Sequence, residues 1–333
     1  MPKKAQLYLH IGHAKAGSTT LQAFLFKNWA YLEAQGFAIP TADFNVSNPT
    51  QLPGNPLLAL QAIKKKRDIE PLRQWIIEAS KTHPKLLLSS ECLFEWAWHK
   101  LFINLTDLMD IHLIYYVRRQ DEVLLSAWRQ WGLKTGQPLD AFIDSRVAKE
   151  QPNYWASIAP WRNKVGLASL HVRFVHTTFL ENGDIQQDLA HHLDLDFAKM
   201  QPVENQNVGL DARLLLFMSE RPEMFASVHD DSIFELLRDK NIAHKPLRLT
   251  LNTSQFGRIF KAFESKNQEF LEEFHPAKAG TPVINPNTAP INQTALPISQ
   301  AEIIAYVKSR IETIGQSNDS RINVLKAELL TKP

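Results

Sequence analysis

Between Leu7 and Gln22 the chain runs LYLHIGHAKAGSTTLQ. An apolar strand leads into a loop with Gly12, Lys15 and Gly17, and a Ser18-Thr19-Thr20 run then opens an amphipathic helix. Residues of these types in this order make a cradle for an anion. Loop amides and the unpaired N–H groups of a first helical turn converge on one point, the helix dipole adds positive potential there, and Lys15 adds a full charge. The expected ligand is a phosphate or a sulfonate. A nucleoside triphosphatase loop has the form G-x-x-x-x-G-K-[ST], with the lysine directly after the second glycine and a hydroxyl residue that holds magnesium. Here Gly12 and Gly17 keep the glycine spacing, but Ser18 stands where that lysine belongs and Lys15 lies inside the loop. The pattern argues against magnesium-dependent nucleotide hydrolysis.

A second set of residues belongs at the same sheet edge. The strand HLIYYV, His112 to Val117, ends in Arg118 and Arg119, and the following helix, QDEVLLSAWRQ, presents Ser126. Ligands of an open parallel sheet collect beyond the carboxyl ends of its strands, where an arginine can grip a phosphate through two parallel N–H groups. Two anion sites of this kind fit one ligand with two anionic ends. Glu91 follows the strand KLLLSS at a carboxyl end on that edge, which makes it the candidate acceptor for a substrate proton, with His10 and His13 as rivals. Its alternative reading is a first-turn carboxylate that simply stabilises a helix. Cys92 has no histidine pattern to activate it, and His191 and His192 diverge on their helix, so no metal site is expected.

Positioning these residues requires strands and helices in alternation. Short apolar runs at Leu7–Ile11, Phe37–Ile39, Leu86–Ser90, Ile111–Val117 and Leu170–His176 predict parallel strands. Leu21, Phe24, Leu25 and Leu32 recur at helical spacing up to a left-handed stop at Gly36. Further helices are expected over 57–67, 71–83, 211–220, 232–240 and 253–274, with an irregular loop over 41–56. Residues 276–298, rich in proline, predict a linker. Ser299 and Glu302 form a capping-box pattern for a C-terminal helical arm over 299–333, with Ile303, Ile304, Val307, Ile311 and Ile314 on its apolar side. The expected fold is α/β: a three-layer sandwich over 1–275 with a central parallel sheet flanked by helices, strands mainly before 200, and a helical portion over 205–275.

At 333 residues, 44% hydrophobic and 22% charged, the chain has ample apolar content for a full core. A formal charge of +2 is too even to suggest a nucleic-acid binder held by general electrostatics, so any basic patch must be local. A single cysteine excludes an internal disulfide and fits the cytoplasm, and no stretch approaches membrane-spanning length or the form of a signal peptide.

Taken together, K-x-G-[ST]-T at Lys15 to Thr19 and Arg118 with Ser126 eight positions later resemble the two phosphosulfate-binding motifs of P-loop sulfotransferases that use 3′-phosphoadenosine 5′-phosphosulfate. HIG before the lysine, LLLSSE at Leu86 to Glu91, Tyr154 and Trp161 before VRFVH, NGDIQQDLAHHLDLD and NVGLDARLL look like bacterial members, and the likeness covers about Leu7 to Phe274. Ala16 stands where the family often has Thr or Ser, and the glycine-rich basic loop of the animal cytosolic enzymes has no clear counterpart. The resemblance implies that Lys15, Ala16, Gly17, Ser18, Thr19 and Thr20 hold the 5′-phosphosulfate and that Arg118 and Ser126 hold the 3′-phosphate. It further implies that Lys15 and Glu91 are catalytic and that no metal is required. The acceptor implied is a hydroxyl-bearing glycan, glycolipid or small molecule, and the C-terminal arm is a candidate contact for a homo-oligomer. A P-loop kinase using Mg-ATP and a non-catalytic nucleotide-binding module remain open as alternatives.

Overall fold

The computed structural model describes residues 4–40, 57–94, 97–204, 209–238, 246–284, 298–314 and 317–330. Five strands form the sheet: β1 (Ala5–His10), β2 (Phe37–Ala38), β3 (Lys85–Ser89), β4 (Met109–Val117) and β5 (Ser169–Phe174). All pair in parallel, in the order β2-β3-β1-β4-β5. Leu86, Leu87 and Leu88 are each fully buried in succession, as are Leu113, Ile114, Tyr115 and Tyr116. A strand without an exposed face must be covered on both sides, so continuous apolar runs dictate a sheet between two helical layers. The result is the expected α/β three-layer architecture, with further helices toward the C-terminus.

The helices are α1 (Ser18–Lys27), α2 (Trp29–Ala34), α3 (Leu57–Lys66), α4 (Glu70–Ala79), α5 (Trp98–Phe102), α6 (Gln120–Ala127), α7 (Leu139–Ala148), α8 (Tyr154–Lys164), α9 (Ile185–His192), α10 (Ala212–Ser219), α11 (Ser232–Leu237), α12 (Thr253–Phe274), α13 (Gln300–Thr313) and α14 (Ser320–Leu330). One helix expected after the anion loop is in fact two. The break is at Asn28, which leaves helical backbone angles at φ −107° and ψ 17°; its amide donates to the Phe24 carbonyl at 2.9 Å, in competition with the helical bond there, and its side-chain oxygen accepts from Gln201 N–H at 2.7 Å. Gly36, at φ 84°, closes α2 as its sequence position predicts.

The chain divides into two compact units, each discontinuous in sequence. The first comprises Met1–Arg119, Asn153–Gln206 and Phe270–Gly280, and the second Gln120–Pro152, Asn207–Glu269 and Thr281–Pro333. In the first, Leu21, Phe24 and Leu25 of α1 and Leu189 and Ala190 of α9 pack on Tyr8, Leu87, Ile114 and Tyr116 of the sheet. The second is helical, built around Trp128, Phe142, Leu215, Phe217, Phe234 and Phe263.

Two expectations for the C-terminal region meet a different outcome. Ile303, Val307 and Ile311 of α13 and Ile322 and Leu325 of α14 belong to the core of the second unit, so the described part of 299–333 is packed rather than an arm. The capping box at Ser299 and Glu302 is present, but an isolated helix cannot bury such a stripe, and α10 and α13 bury theirs against each other. Likewise, Val283 and Ile284 are buried and both of their amides donate to Glu264, at 3.0 and 2.9 Å, so 276–284 ends in packed chain. Residues 285–297 of the expected linker, the 41–56 loop, and Asn207 and Val208 of the NVGLDARLL stretch lie outside the described residues.

Candidate functional site

Register brings three separated segments to one end of the sheet. His10, the last residue of β1, pairs with Ser89 on one side and Ile114 on the other. The pairing then runs past the strand ends: Ser90 N–H donates to the His10 carbonyl at 3.0 Å, Ile11 N–H to Ile114 at 3.0 Å and His13 N–H to Tyr116 at 2.8 Å. The loop after β1, Glu91 after β3 and Arg118 after β4 therefore leave the carboxyl ends of adjacent central strands.

The loop itself is tightly specified. Lys15 sits at φ 68° and Gly17 at φ 89°. For a residue with a Cβ the left-handed region costs about 1 to 2 kcal/mol, a strain that persists where surrounding contacts over-determine it. Those contacts are present. The Ala16 side chain is fully buried beside Leu21 and Phe24, its N–H donates to the His13 carbonyl at 3.0 Å, and the Lys15 carbonyl accepts from Arg118 Nη1 at 3.4 Å. The Ala16 amide is thus engaged inside the loop instead of pointing at the cradle, and a buried methyl takes the place of the hydroxyl. Gly17 is the N-cap of α1 and no side chain caps that helix. The φ of Gly17 calls for glycine, and a Cβ there would lie 2.7 Å from Ile185 Cδ1, so the tip of that side chain would also have to shift.

Ser18 opens α1 with its side chain 7% exposed, and its buried Oγ has no hydrogen-bond partner among the described residues. A Cβ at Gly12 would meet that Oγ at 3.1 Å and the Nε2 of His10, likewise buried and unpartnered, at 2.7 Å. Leaving a buried hydroxyl unsatisfied costs about 1 to 3 kcal/mol. At a helix N-terminus, beside the amides of Ser18 and Thr19, the same hydroxyl suits an anionic oxygen. Thr19 is exposed, while Thr20 and Lys15 are half-buried.

Glu91 begins a single 3₁₀ turn, Glu91–Phe94, and its Oε2 accepts from Gln22 Nε2 at 3.1 Å. Arg118 is half-buried, and its carbonyl accepts from the Tyr154 hydroxyl. Lys15, Ser18, Glu91 and Arg118 are all held in the first unit. Ser126 lies in α6 of the second unit and is half-buried. The rival bases lose their claim. His10 is fully buried, its Nδ1 2.8 Å from Ser89 Oγ, and His13 is packed against Phe94 (ring centroids 4.2 Å apart) and Tyr154 (5.1 Å). Burial pushes both imidazoles down to about 4, which leaves them neutral and weakly basic at pH 7. Arg173 is committed to the fully buried Asp188 at 2.5 Å. Burial alone would raise that carboxyl, but hydrogen bonds and charge from Arg173 bring it below the usual range.

No family model, no curated protein and no solved structure matches the chain. The site therefore rests on its own geometry. Two of its features escaped sequence reasoning: the role of Gln22, whose only signal is its position four residues after Ser18 on a helix face, and the reach of the Tyr154 hydroxyl to the Arg118 carbonyl, although Tyr154 itself stands in a stretch that carries the resemblance. Glu95 and Trp96, near Glu91 in sequence, lie outside the described residues, and Trp98 is core at 1% exposure. Among the described residues no helix is long and apolar enough to cross a membrane. Chemically, the arrangement offers a cation and a buried hydroxyl to an anion, with a carboxylate tied one helical turn away.

Proposed function

We propose that this protein is a sulfotransferase that moves the sulfuryl group of 3′-phosphoadenosine 5′-phosphosulfate to the hydroxyl of an acceptor in the cytoplasm, a glycan or glycolipid foremost. The observation that carries the reading is the buried, unpartnered Ser18 hydroxyl at the N-terminus of α1, beside Lys15 and with Glu91 fastened to the same helix. The cradle fits the phosphosulfate end because the transferring sulfonate carries less charge than a terminal phosphate, so that amides, one hydroxyl and one lysine suffice. Lys15, Gly17, Ser18, Thr19 and Thr20 would hold that end, and Arg118 would hold the 3′-phosphate. The donor brings an activated sulfur whose bond to the phosphate oxygen breaks as the acceptor oxygen attaches in line. Within this chain, Lys15 stabilises negative charge on the departing side and Glu91 takes the acceptor proton.

Thermal denaturation with nucleotides tests this. Adenosine 3′,5′-bisphosphate without metal should raise the unfolding temperature, a stabilisation of about 2.7 kcal/mol at a hundredfold excess over Kd. Stabilisation by Mg-ATP and not by the bisphosphate would favour the kinase reading and sink the sulfotransferase.

A further inference from the structure

Buried positions of α1 are apolar at Leu21, Phe24 and Leu25, but Gln22 is also buried, at 4% exposure. An amide kept from water must have partners, and both of its protons are accounted for: Nε2 donates to the Ser89 carbonyl at 3.2 Å and to Glu91 Oε2 at 3.1 Å. Ser89 is in turn fixed to β1, by pairing with His10 and by the 2.8 Å contact between Ser89 Oγ and His10 Nδ1. Ser18 and Gln22 are four residues apart and so share a face of α1, one turn from each other. One rigid helix thus carries the first-turn hydroxyl of the anion cradle and the amide that grips the carboxylate.

We propose that Gln22 is the positioning residue for Glu91, setting the separation and orientation of the carboxylate relative to an anion held at the N-terminus of α1. This inference rests on the sulfotransferase reading. Its physical content is that one carboxylate oxygen is anchored by the amide, so that the other is the one turned toward the acceptor proton. A base displaced by about an ångström loses on the order of a hundredfold in rate, whereas the donor's anionic ends, held by other residues, feel nothing.

Gln22→Met tests the idea, since methionine has a similar length and volume but no donor. Transfer from radiolabelled donor into a mixed glycan extract is followed together with the thermal shift produced by adenosine 3′,5′-bisphosphate. The expected result is a kcat lower by roughly 10- to 100-fold, with donor KM and the thermal shift unchanged. Gln22→Asn, whose amide stops one methylene short, should behave alike and covers a methionine variant that folds poorly. In a Glu91→Ala background, Gln22→Met should alter the residual rate less than about twofold, because two residues acting as one unit are not additive. Wild-type kcat in Gln22→Met, or an equal loss in the Glu91→Ala background, overturns the positioning role alone. A wild-type protein that neither responds to the bisphosphate nor transfers label removes the sulfotransferase reading beneath it.

Discussion

At Lys15 the backbone and the side chain do separate work. The backbone is held left-handed at φ 68°, its carbonyl accepting from Arg118, and the side chain adds a positive charge to the loop. On the sulfotransferase reading, Lys15→Ala should therefore abolish sulfuryl transfer while the protein keeps its fold, checked by initial rates alongside circular dichroism. Arg118 contacts the loop and is the candidate 3′-phosphate grip, so Arg118→Ala should weaken donor affinity, by about 2 to 5 kcal/mol in a calorimetric titration where the bound phosphate desolvates the guanidinium. Arg118→Lys keeps the charge but not the planar fork and should recover only part of that loss. Unchanged donor affinity in Arg118→Ala removes Arg118 from the site.

Among the elements, α1 concentrates the requirements. Its first turn forms the cradle, its second turn grips Glu91 through Gln22, and its apolar face packs on the sheet. The entry to this helix tolerates little change. Gly17→Ala places a methyl 2.7 Å from Ile185 Cδ1 at a backbone angle that disfavours any side chain. That substitution should cost about 1 to 3 kcal/mol of stability in a urea titration and, on the sulfotransferase reading, also reduce the stabilisation expected from the bisphosphate. A variant as stable as the native protein with its ligand response intact would show that the loop relaxes freely, contrary to the tight packing described here. The C-terminal helices show how an element's place is decided by what it can bury. Of the apolar side expected on α13, Ile303, Val307 and Ile311 are buried inside the second unit and Ile314 packs against that core, whereas Ile304 is exposed.

For the molecule as a whole, the consequence is a sensitivity to acid. His10 and His13 are held at about 4 by burial, against 6.5 when unfolded. The folded form thus favours the neutral ring, and the sign follows from proton linkage. The stabilisation is complete above about pH 6.5 and is lost as the pH falls toward 4, by up to about 3 kcal/mol for each ring. Urea unfolding at pH 7.5 and at pH 4.5 should show the native protein much weaker at the lower value. His10→Gln, which replaces the titrating ring with a neutral amide, should show a smaller difference between the two. An equal fall in native protein and variant would mean that His10 takes no part in the acid response.

Much of this was legible in the amino-acid order. Continuous apolar runs give strands buried on both faces, helical spacing gives the elements between them, and the order glycine, lysine, glycine, serine after β1 marks an anion cradle, because each of these depends on neighbours within about one turn or one strand. What local order leaves undetermined is which strands lie side by side, and with what register. Only the tertiary structure brought the ends of β3 and β4 to either side of β1, set Glu91 against Gln22 and Arg118 against the Lys15 carbonyl, turned the Ala16 amide inward, and folded α13 into a core. Each of these contacts joins residues far apart in the chain or settles a local amide by where the surrounding packing leaves room, and burial of whole faces, not propensity, selects among the arrangements that local order permits.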